Sequence, residues 1–308
     1  MAIVLVGGTG FIGRHVCEAL HLRRVPAVTI SYTPHVPFLR RFAPSLRAVE
    51  ANSPAAEREL RNAEVLVYLA HRSRPGSHAG APHLEVETNV VEAIRFFDDV
   101  VSVNSSCRII YASSGGQIYG RRPEVPIDEA SSREPVTPYG LGKLLVEECL
   151  AYLSRTSGVP VTVLRMGNPV GKWQLRGTHG FVAAAVRAAC TGEPLTIYGR
   201  GENKRDYFDA DDVAELICDL CGSELQTEGT FNIGSGHGRT ENEIIALIQS
   251  ELTDWLSVSY EVARDFDLAY AVLDVGKAHR ELGWKAKTPL AETLRKLKSA
   301  MRDPLIAG

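Results

Sequence analysis

Residues 2–20 read AIVLVGGTGFIGRHVCEAL, and the architecture of the whole chain turns on them. Ala2 to Val6 is a run of apolar residues, the pattern of a short strand buried on both faces. Gly7, Gly10 and Gly13 follow at three-residue spacing, and Ile12, Val16, Ala19 and Leu20 recur at helical spacing around them. In such a strand–loop–helix the first glycine permits a tight turn. The next lets the backbone approach a pyrophosphate, and the last lets the helix pack close to the sheet. Free N–H groups at the helix start then face phosphate charge. Turns also use glycine for conformation alone, so the strand before and the helix after are what give the spacing its meaning. Gly7, Gly10, Phe11, Ile12 and Gly13 are the candidates to hold a dinucleotide.

Outward from this loop, apolar β-branched runs alternate with helical periods: AVTIS at 27–31, VLVYLA at 65–70, a long helix near 84–100, RIIYASS at 108–114, a helix across 139–154 and VTVLRMG at 161–167. This alternation predicts an α/β fold, a doubly wound parallel sheet (Rossmann-type). Beyond 168 the pattern loosens into the polar loop NPVGKWQLRGTHG, followed by an alanine-rich helix at 181–190 and PLTIYG at 194–199. GTFNIGS at 229–235 reads as one more strand returning to the main sheet. The expected domains are therefore interleaved. A dinucleotide-binding domain takes 1–167 plus about 206–236, and a second, smaller mixed α/β substrate domain takes about 168–205 plus 237–308.

The chain of 308 residues carries 34 Lys and Arg against 37 Asp and Glu, so it lacks the basic excess that nucleic acid requires. Its apolar stretches fall far short of a membrane span of roughly 20 residues. Met1 leads straight into a strand-like run, without the layout of a signal peptide. Six cysteines lie scattered, mostly in apolar runs, as reduced thiols in a cytoplasmic protein do. Cys218 and Cys221 form a CxxC within the helical DDVAELICDLC, and with no second pair and no nearby His the expectation is no metal.

TPYGLGKLLVEECL places Tyr139 and Lys143 four apart at the start of a helix, on one face. A lysine ammonium beside a phenol lowers its pKa from about 10 toward working pH, making an acid/base, and the same lysine can hold the nicotinamide ribose. Upstream, Ser113 and Ser114 end a buried strand, where the carboxyl edge of an open parallel sheet presents ligands. A hydroxyl there polarises a substrate oxygen, while a strand-ending serine that closes a local turn is the plainer reading for one of the two. At the end of AVTIS, Ser31 and Tyr32 stand where an acidic residue commonly meets the adenine ribose. No carboxylate is there to repel a 2′-phosphate, and Arg40 and Arg41 follow, so of NAD and NADP the reading leans to NADP. His71, His78 and His83 lie in or beside the loop SRPGSHAGAPH, and solvated loop histidines are the common case.

The motifs GGTGFIG, ASSGGQIYG, TPYGLGK, LRMGNPVG, GRGENKRDYFDADDVA and LGW, in that order, resemble the extended short-chain dehydrogenase/reductases. Within them the likeness is to the nucleotide-sugar epimerase/dehydratase group, and it runs from Ala2 to about Leu297. The resemblance implies that Tyr139 is the acid/base with Lys143 as its partner, and that Leu69, Ala70 and Asn89 line the cofactor. It implies further that Asn168 contacts the nucleotide diphosphate and that Arg205 and Arg264 neutralise it. Asp267 then contacts a ribose and Tyr198 stacks on the base. It also implies a homodimer. Three positions depart from the pattern: the usual second hydroxyl slot is Gly115, and the Asp–Glu pair of dehydratases is replaced by Gly116 and Gln117, which disfavours loss of water.

The expected reaction is epimerisation at carbon 4 through a 4-keto sugar. An NADPH-dependent 4-keto-sugar nucleotide reductase is the enzymatic alternative. A dinucleotide-binding regulator without catalysis is the alternative from another class.

Overall fold

The structure is a computed structural model that describes residues 2–32, 36–174, 180–222, 225, 227–253 and 255–303. Residues 33–35 after the second strand, and 175–179 within the polar loop at 168–180, lie outside the described residues. Thirteen strands are described. They are β1 (Ile3–Val6), β2 (Ala27–Ser31), β3 (Arg47–Glu50), β4 (Val65–Tyr68), β5 (Arg108–Ser114), β6 (Val161–Met166), β7 (Asn168–Val170), β8 (Leu195–Tyr198), β9 (Lys204–Asp209), β10 (Gly229–Ile233), β11 (Gly238–Thr240), β12 (Val258–Glu261) and β13 (Tyr270–Ala271).

Seven of them form one sheet in the order β10-β6-β5-β4-β1-β2-β3, so the strand at 229–235 does return to the main sheet. Every residue of β1 and of β4 is buried, as uninterrupted apolar runs covered on both faces must be. β1 pairs in parallel with β2 on one side (Val6↔Ile30) and with β4 on the other (Val6↔Tyr68). The strand order therefore reverses at β1, and the carboxyl ends of β1 and β4 flank the point at which open α/β sheets bind ligands.

The chain divides into two units, interleaved in sequence. The first comprises 1–114, 137–165 and 214–231, and the second 115–136, 166–213 and 232–308. Residues 115–136 and 206–213 thus fall in the second unit, a partition different from the one expected from the strand pattern. In the first unit, Leu66, Phe97, Ile109, Tyr111, Val146 and Leu150 form a core around the sheet, with the rings of Tyr68 and Phe97 4.8 Å apart. In the second, β7, β9, β11 and β13 make a mixed sheet and β8 pairs with β12. Val186, Ile244, Ile248, Leu294 and Leu297 supply its core. Cys218 and Cys221 are buried on the helix Ala210–Cys221 of this fold. Among the described residues no helix is long and apolar enough to cross a membrane.

Candidate active site

The glycine loop is shaped by what surrounds it. Gly7 has φ +85°, and a Cβ there would sit 2.8 Å from the Ala70 amide nitrogen, so the end of β1 presses against Leu69–Ala70 at the end of β4. A Cβ at Gly13 would come within 2.2 Å of the Gly7 carbonyl, so the helix Phe11–Leu22 can approach its own loop only with glycine there. No side chain caps that helix, whose N-cap is Gly10. Its first-turn donors, which include those of Phe11 and Ile12, are therefore not consumed by a capping group.

Tyr139 and Lys143 project from the helix Pro138–Ser157, whose start is fixed by Thr137 accepting from the Gly140 amide at 3.0 Å and by Pro138 in the first turn. The phenol of Tyr139 shares a hydrogen bond with the hydroxyl of Ser114, the last residue of β5. Gly115 has no side chain to offer, and Ser114 is the hydroxyl that this geometry brings to the tyrosine. Ser113, its neighbour on the strand, points the other way, as the alternation of a strand requires. Its hydroxyl donates to Glu147, which is doubly bonded to Arg165 on β6 (Nη2–Oε2 2.7 Å, Nε–Oε2 3.1 Å). Ser113 is thus committed to a buried ion pair bracing the helix on the sheet, and of the two candidate serines only Ser114 meets Tyr139.

The structure sets burial against the expected effect of the lysine on the phenol. Lys143 donates to the Ala112 carbonyl at 2.8 Å, and its ammonium lies 5.9 Å from the Tyr139 ring centroid. Burial pushes Tyr139 up to about 12, opposed by the Ser114 hydrogen bond. Burial also draws Lys143 down to about 7, against the pull of Glu85 and Glu147. Desolvation outweighs the charge effect because both groups are enclosed.

The loop after β4 contributes residues that the sequence reading passed over. His71 is nearly enclosed, and its ring stands edge-to-face against Tyr139 with centroids 5.0 Å apart. Its Nε2 lies 2.9 Å from the carboxylate of Glu85. Glu85 and Asn89 come together where the short helix Pro82–Glu85 passes into a π-helical turn, Val86–Val90, a local feature that often marks functional sites. Asn89 donates to Glu85 at 3.1 Å and accepts from the Arg72 amide at 2.8 Å, so it pins the loop following Ala70. Glu85 and Asn89 stand four apart in the sequence, the one signal that could have paired them. His83 is exposed, as a solvated loop histidine is.

Ser31 ends β2 partly buried, and the Arg72 guanidinium stacks 5.0 Å over the ring of Tyr32 while bonding Glu92 at 3.0 Å. Arg72, which the sequence reading did not single out, is a cation placed beside this strand end. Arg41 instead packs on Phe42.

In the second unit, Arg264 stacks 4.3 Å over Tyr198 and 4.9 Å from the Phe266 centroid, and grips Asp267 through two bonds of 2.8 and 3.0 Å. Arg205 on β9 feels Glu241, Asp267 and Arg264, and burial draws its pKa down. Four of the predicted substrate residues are thus electrostatically or directly joined, and Phe266 and Glu241 are the additions. Asn168 lies on β7, paired with Tyr207 of β9, and its buried Oδ1 lacks a hydrogen-bond partner among the described residues. Among these residues no group of His, Cys, Asp and Glu forms a metal site.

The profile of the NAD dependent epimerase/dehydratase family matches residues 3–234. The dTDP-4-dehydro-6-deoxyglucose reductase of Escherichia coli is 28% identical over 97% of both chains. The crystal structure of UDP-glucose 4-epimerase from Thermotoga maritima with UDP-glucose is similar at TM-score 0.84 and 29% identity, covering 98% of this chain and 99% of that one. A structure of MoeE5 in complex with UDP-glucuronic acid and NAD is similar at TM-score 0.86 and 27% identity, with 98% and 99% covered.

Proposed function

The chain belongs to the NAD dependent epimerase/dehydratase family, and from that membership we propose that it inverts carbon 4 of a nucleotide-sugar by transient oxidation. The observation that carries the reading is the Ser114–Tyr139 hydrogen bond, with Lys143 one turn further along the same helix, in the unit that also holds the glycine loop.

The residues present fit a nicotinamide dinucleotide. Gly7 and Gly13 occupy positions where a Cβ would collide, and the uncapped helix start suits a pyrophosphate. Leu69 and Ala70 flank Gly7, Asn89 holds their loop, and Lys143 is the group to bind the nicotinamide ribose. A nicotinamide bound there would supply reversible hydride-transfer chemistry for the sugar carbon. As the phenolate, Tyr139 would take the proton of the 4-hydroxyl and give it back to the 4-keto oxygen, with Ser114 holding its oxygen by a hydrogen bond. Arg205, Arg264, Asp267, Tyr198 and Asn168 recognise the nucleotide diphosphate, for which guanidinium forks are matched in charge and geometry. In this reading the first unit is the dinucleotide unit and the second the substrate unit. Leu145 and Tyr152, exposed seven apart on the Pro138–Ser157 helix, support a homodimer, and the six free cysteines support a place in the cytoplasm.

A second reading, reduction of a 4-keto-sugar nucleotide by NADPH, is favoured by two observations. Ser31 and Arg72 offer a hydroxyl and a cation, with no carboxylate at the end of β2, which also favours NADP. Tyr139, pushed up to about 12, is a proton donor at neutral pH.

The test is incubation of the purified protein with a panel of nucleotide-sugars, with products analysed by mass and NMR. A 4-epimer formed without net change in nicotinamide is expected. Stoichiometric oxidation of added NADPH supports the reductase instead, and dinucleotide binding without any turnover overturns both.

A further inference from the structure

Lys143 sits in a dry seat. The residue is 4% exposed, its Nζ donates to the Ala112 carbonyl at 2.8 Å, and the ring centroids of Tyr111 and Tyr139 lie 5.1 and 5.9 Å away. A carbonyl and two aromatic faces stabilise a cation only in part, and a buried ammonium without a counter-charge sheds its proton. Two carboxylates act on it, Glu85 and Glu147. Glu147, one turn further along the same helix, is bonded to Arg165 through both its oxygens and accepts from Ser113, so a fixed cation already answers its charge. Glu85 has no exposed side-chain surface, and His71, His78 and Asn89 lie 2.9, 3.1 and 3.1 Å from it. None of these three is an arginine or a lysine. Burial, with the Lys143 charge, draws His71 down to about 4, so that ring is neutral at pH 7. Against its own burial, contacts led by His71 hold Glu85 at about 2, so it is ionised. Its carboxylate lies against the helix that carries Lys143: a Cβ on Gly142, the residue before, would come 2.5 Å from Oε1. An enclosed negative charge is costly unless a positive one stands near it.

We propose that Glu85 is the counter-charge of Lys143, the buried carboxylate that keeps this side chain an ammonium in the resting site. The inference rests on the reading of Tyr139 and Lys143 as the acid/base pair, and Glu85 acts through Lys143 as a positioning residue. An ammonium offers three donors and a positive charge, and a deprotonated lysine loses the charge that favours the phenolate of Tyr139. The titratable and charged groups facing Lys143 are Tyr111, Tyr139, Glu85, His71 and Glu147 with its Arg165. Burial draws Lys143 down to about 7 with both carboxylates in place, so removal of one carries the midpoint below neutral pH. Glu85 also acts on Tyr139 in the opposite sense, since a carboxylate disfavours a phenolate. Its signature is therefore the pH at which activity is lost, not the size of the loss alone.

The test follows the Lys143 amine itself. In protein grown with lysine carrying the heavy nitrogen isotope, the Nζ resonance that disappears in Lys143→Met reports its titration by NMR. Glu85→Gln, which keeps the shape and removes the charge, should lower that midpoint by about one unit or more, and Glu85→Ala should lower it likewise. Glu85→Asp keeps the charge and should restore most of the difference. An unmoved midpoint in the two uncharged variants, or an equal fall in Glu85→Asp, overturns the proposal whether or not the protein acts on a nucleotide-sugar. Where it does, kcat of Glu85→Gln should be roughly fivefold below that of the native chain at pH 7, the fall in charged fraction for a one-unit shift from about 7. The deficit should close toward a pH of about 5.5. A deficit of the same size at every pH makes Glu85 a structural support and overturns the proposal. Absence of turnover with every nucleotide-sugar overturns the reading of the site, and the lysine titration still decides the role of Glu85.

Discussion

The carboxylate of Glu85 fills the space that a side chain on Gly142 would need: a Cβ at 142 would lie 2.5 Å from Oε1 and 2.8 Å from Cγ. Gly142 sits one residue before Lys143 on the helix that carries Tyr139, so the backbone of the acid/base helix and the His71–Glu85 pair are sterically interlocked. Glycine inside a helix costs about 1 kcal/mol relative to alanine, and here it is the residue that admits the carboxylate.

Gly142→Ala should therefore destabilise the protein by about 1–3 kcal/mol despite the better helix propensity, because Glu85 must leave His71, His78 and Asn89. In the Glu85→Ala background the same substitution should be neutral or stabilising. Chemical denaturation of the four proteins of this cycle measures the coupling, and additive effects would contradict the interlock.

Tyr139→Phe should leave dinucleotide binding intact and lower turnover by roughly 10²- to 10⁴-fold, the range of a positioned acid/base. Ser114→Ala should lower kcat while Ser113→Ala acts mainly on stability, since only Ser114 meets the phenol and Ser113 bonds Glu147. Steady-state kinetics beside thermal unfolding separates the two serines.

The Glu147–Arg165 pair is almost completely buried. Arg165→Met strands the carboxylate and should cost about 3–5 kcal/mol, whereas Glu147→Met combined with Arg165→Met should recover most of the loss. Equal instability of the single and the double variant in denaturant would show that the charge pair is not what matters there.

Acid should destabilise the fold through His71. Its folded pKa of about 4 lies below the ordinary 6.5, so the unfolded chain takes the proton first as pH falls. The stability is complete above about 6.5 and is lost progressively down to about 4, a difference of roughly 3 kcal/mol. Glu85, held at about 2 against 4.5 mainly by His71 and other hydrogen bonds against its burial, extends the loss below 4.5 in the same direction. Thermal unfolding between pH 7 and 4 should show this slope in the native chain, and His71→Phe should flatten it between 6.5 and 4.5.

If NADP is the cofactor, Arg72→Ala should weaken NADPH binding roughly tenfold and leave NADH binding nearly unchanged, as expected for the loss of one charge-assisted contact. Equal losses for the two, measured by fluorescence titration, would assign Arg72 to the loop and not to a 2′-phosphate.

Much of this site was legible from local pattern. Glycine spacing between an apolar strand and a helix, and Tyr139 and Lys143 one turn apart, depend on residues close in the chain, whose geometry follows from backbone periodicity. Strand alternation even dictated that Ser113 and Ser114 face opposite sides. Which of them faces the phenol was decided only when the helix Pro138–Ser157 packed across β5 and put Glu147 on one side and Tyr139 on the other. His71 and Glu85 are fourteen positions apart, one in the loop after β4 and the other near the start of the helical stretch that follows, and no local periodicity pairs residues so placed. The protonation of the site was likewise set by enclosure. The lysine that spacing alone casts as lowering the phenol's pKa is itself desolvated, because burial, a property of the packed chain, governs a charge more strongly than its neighbour in sequence.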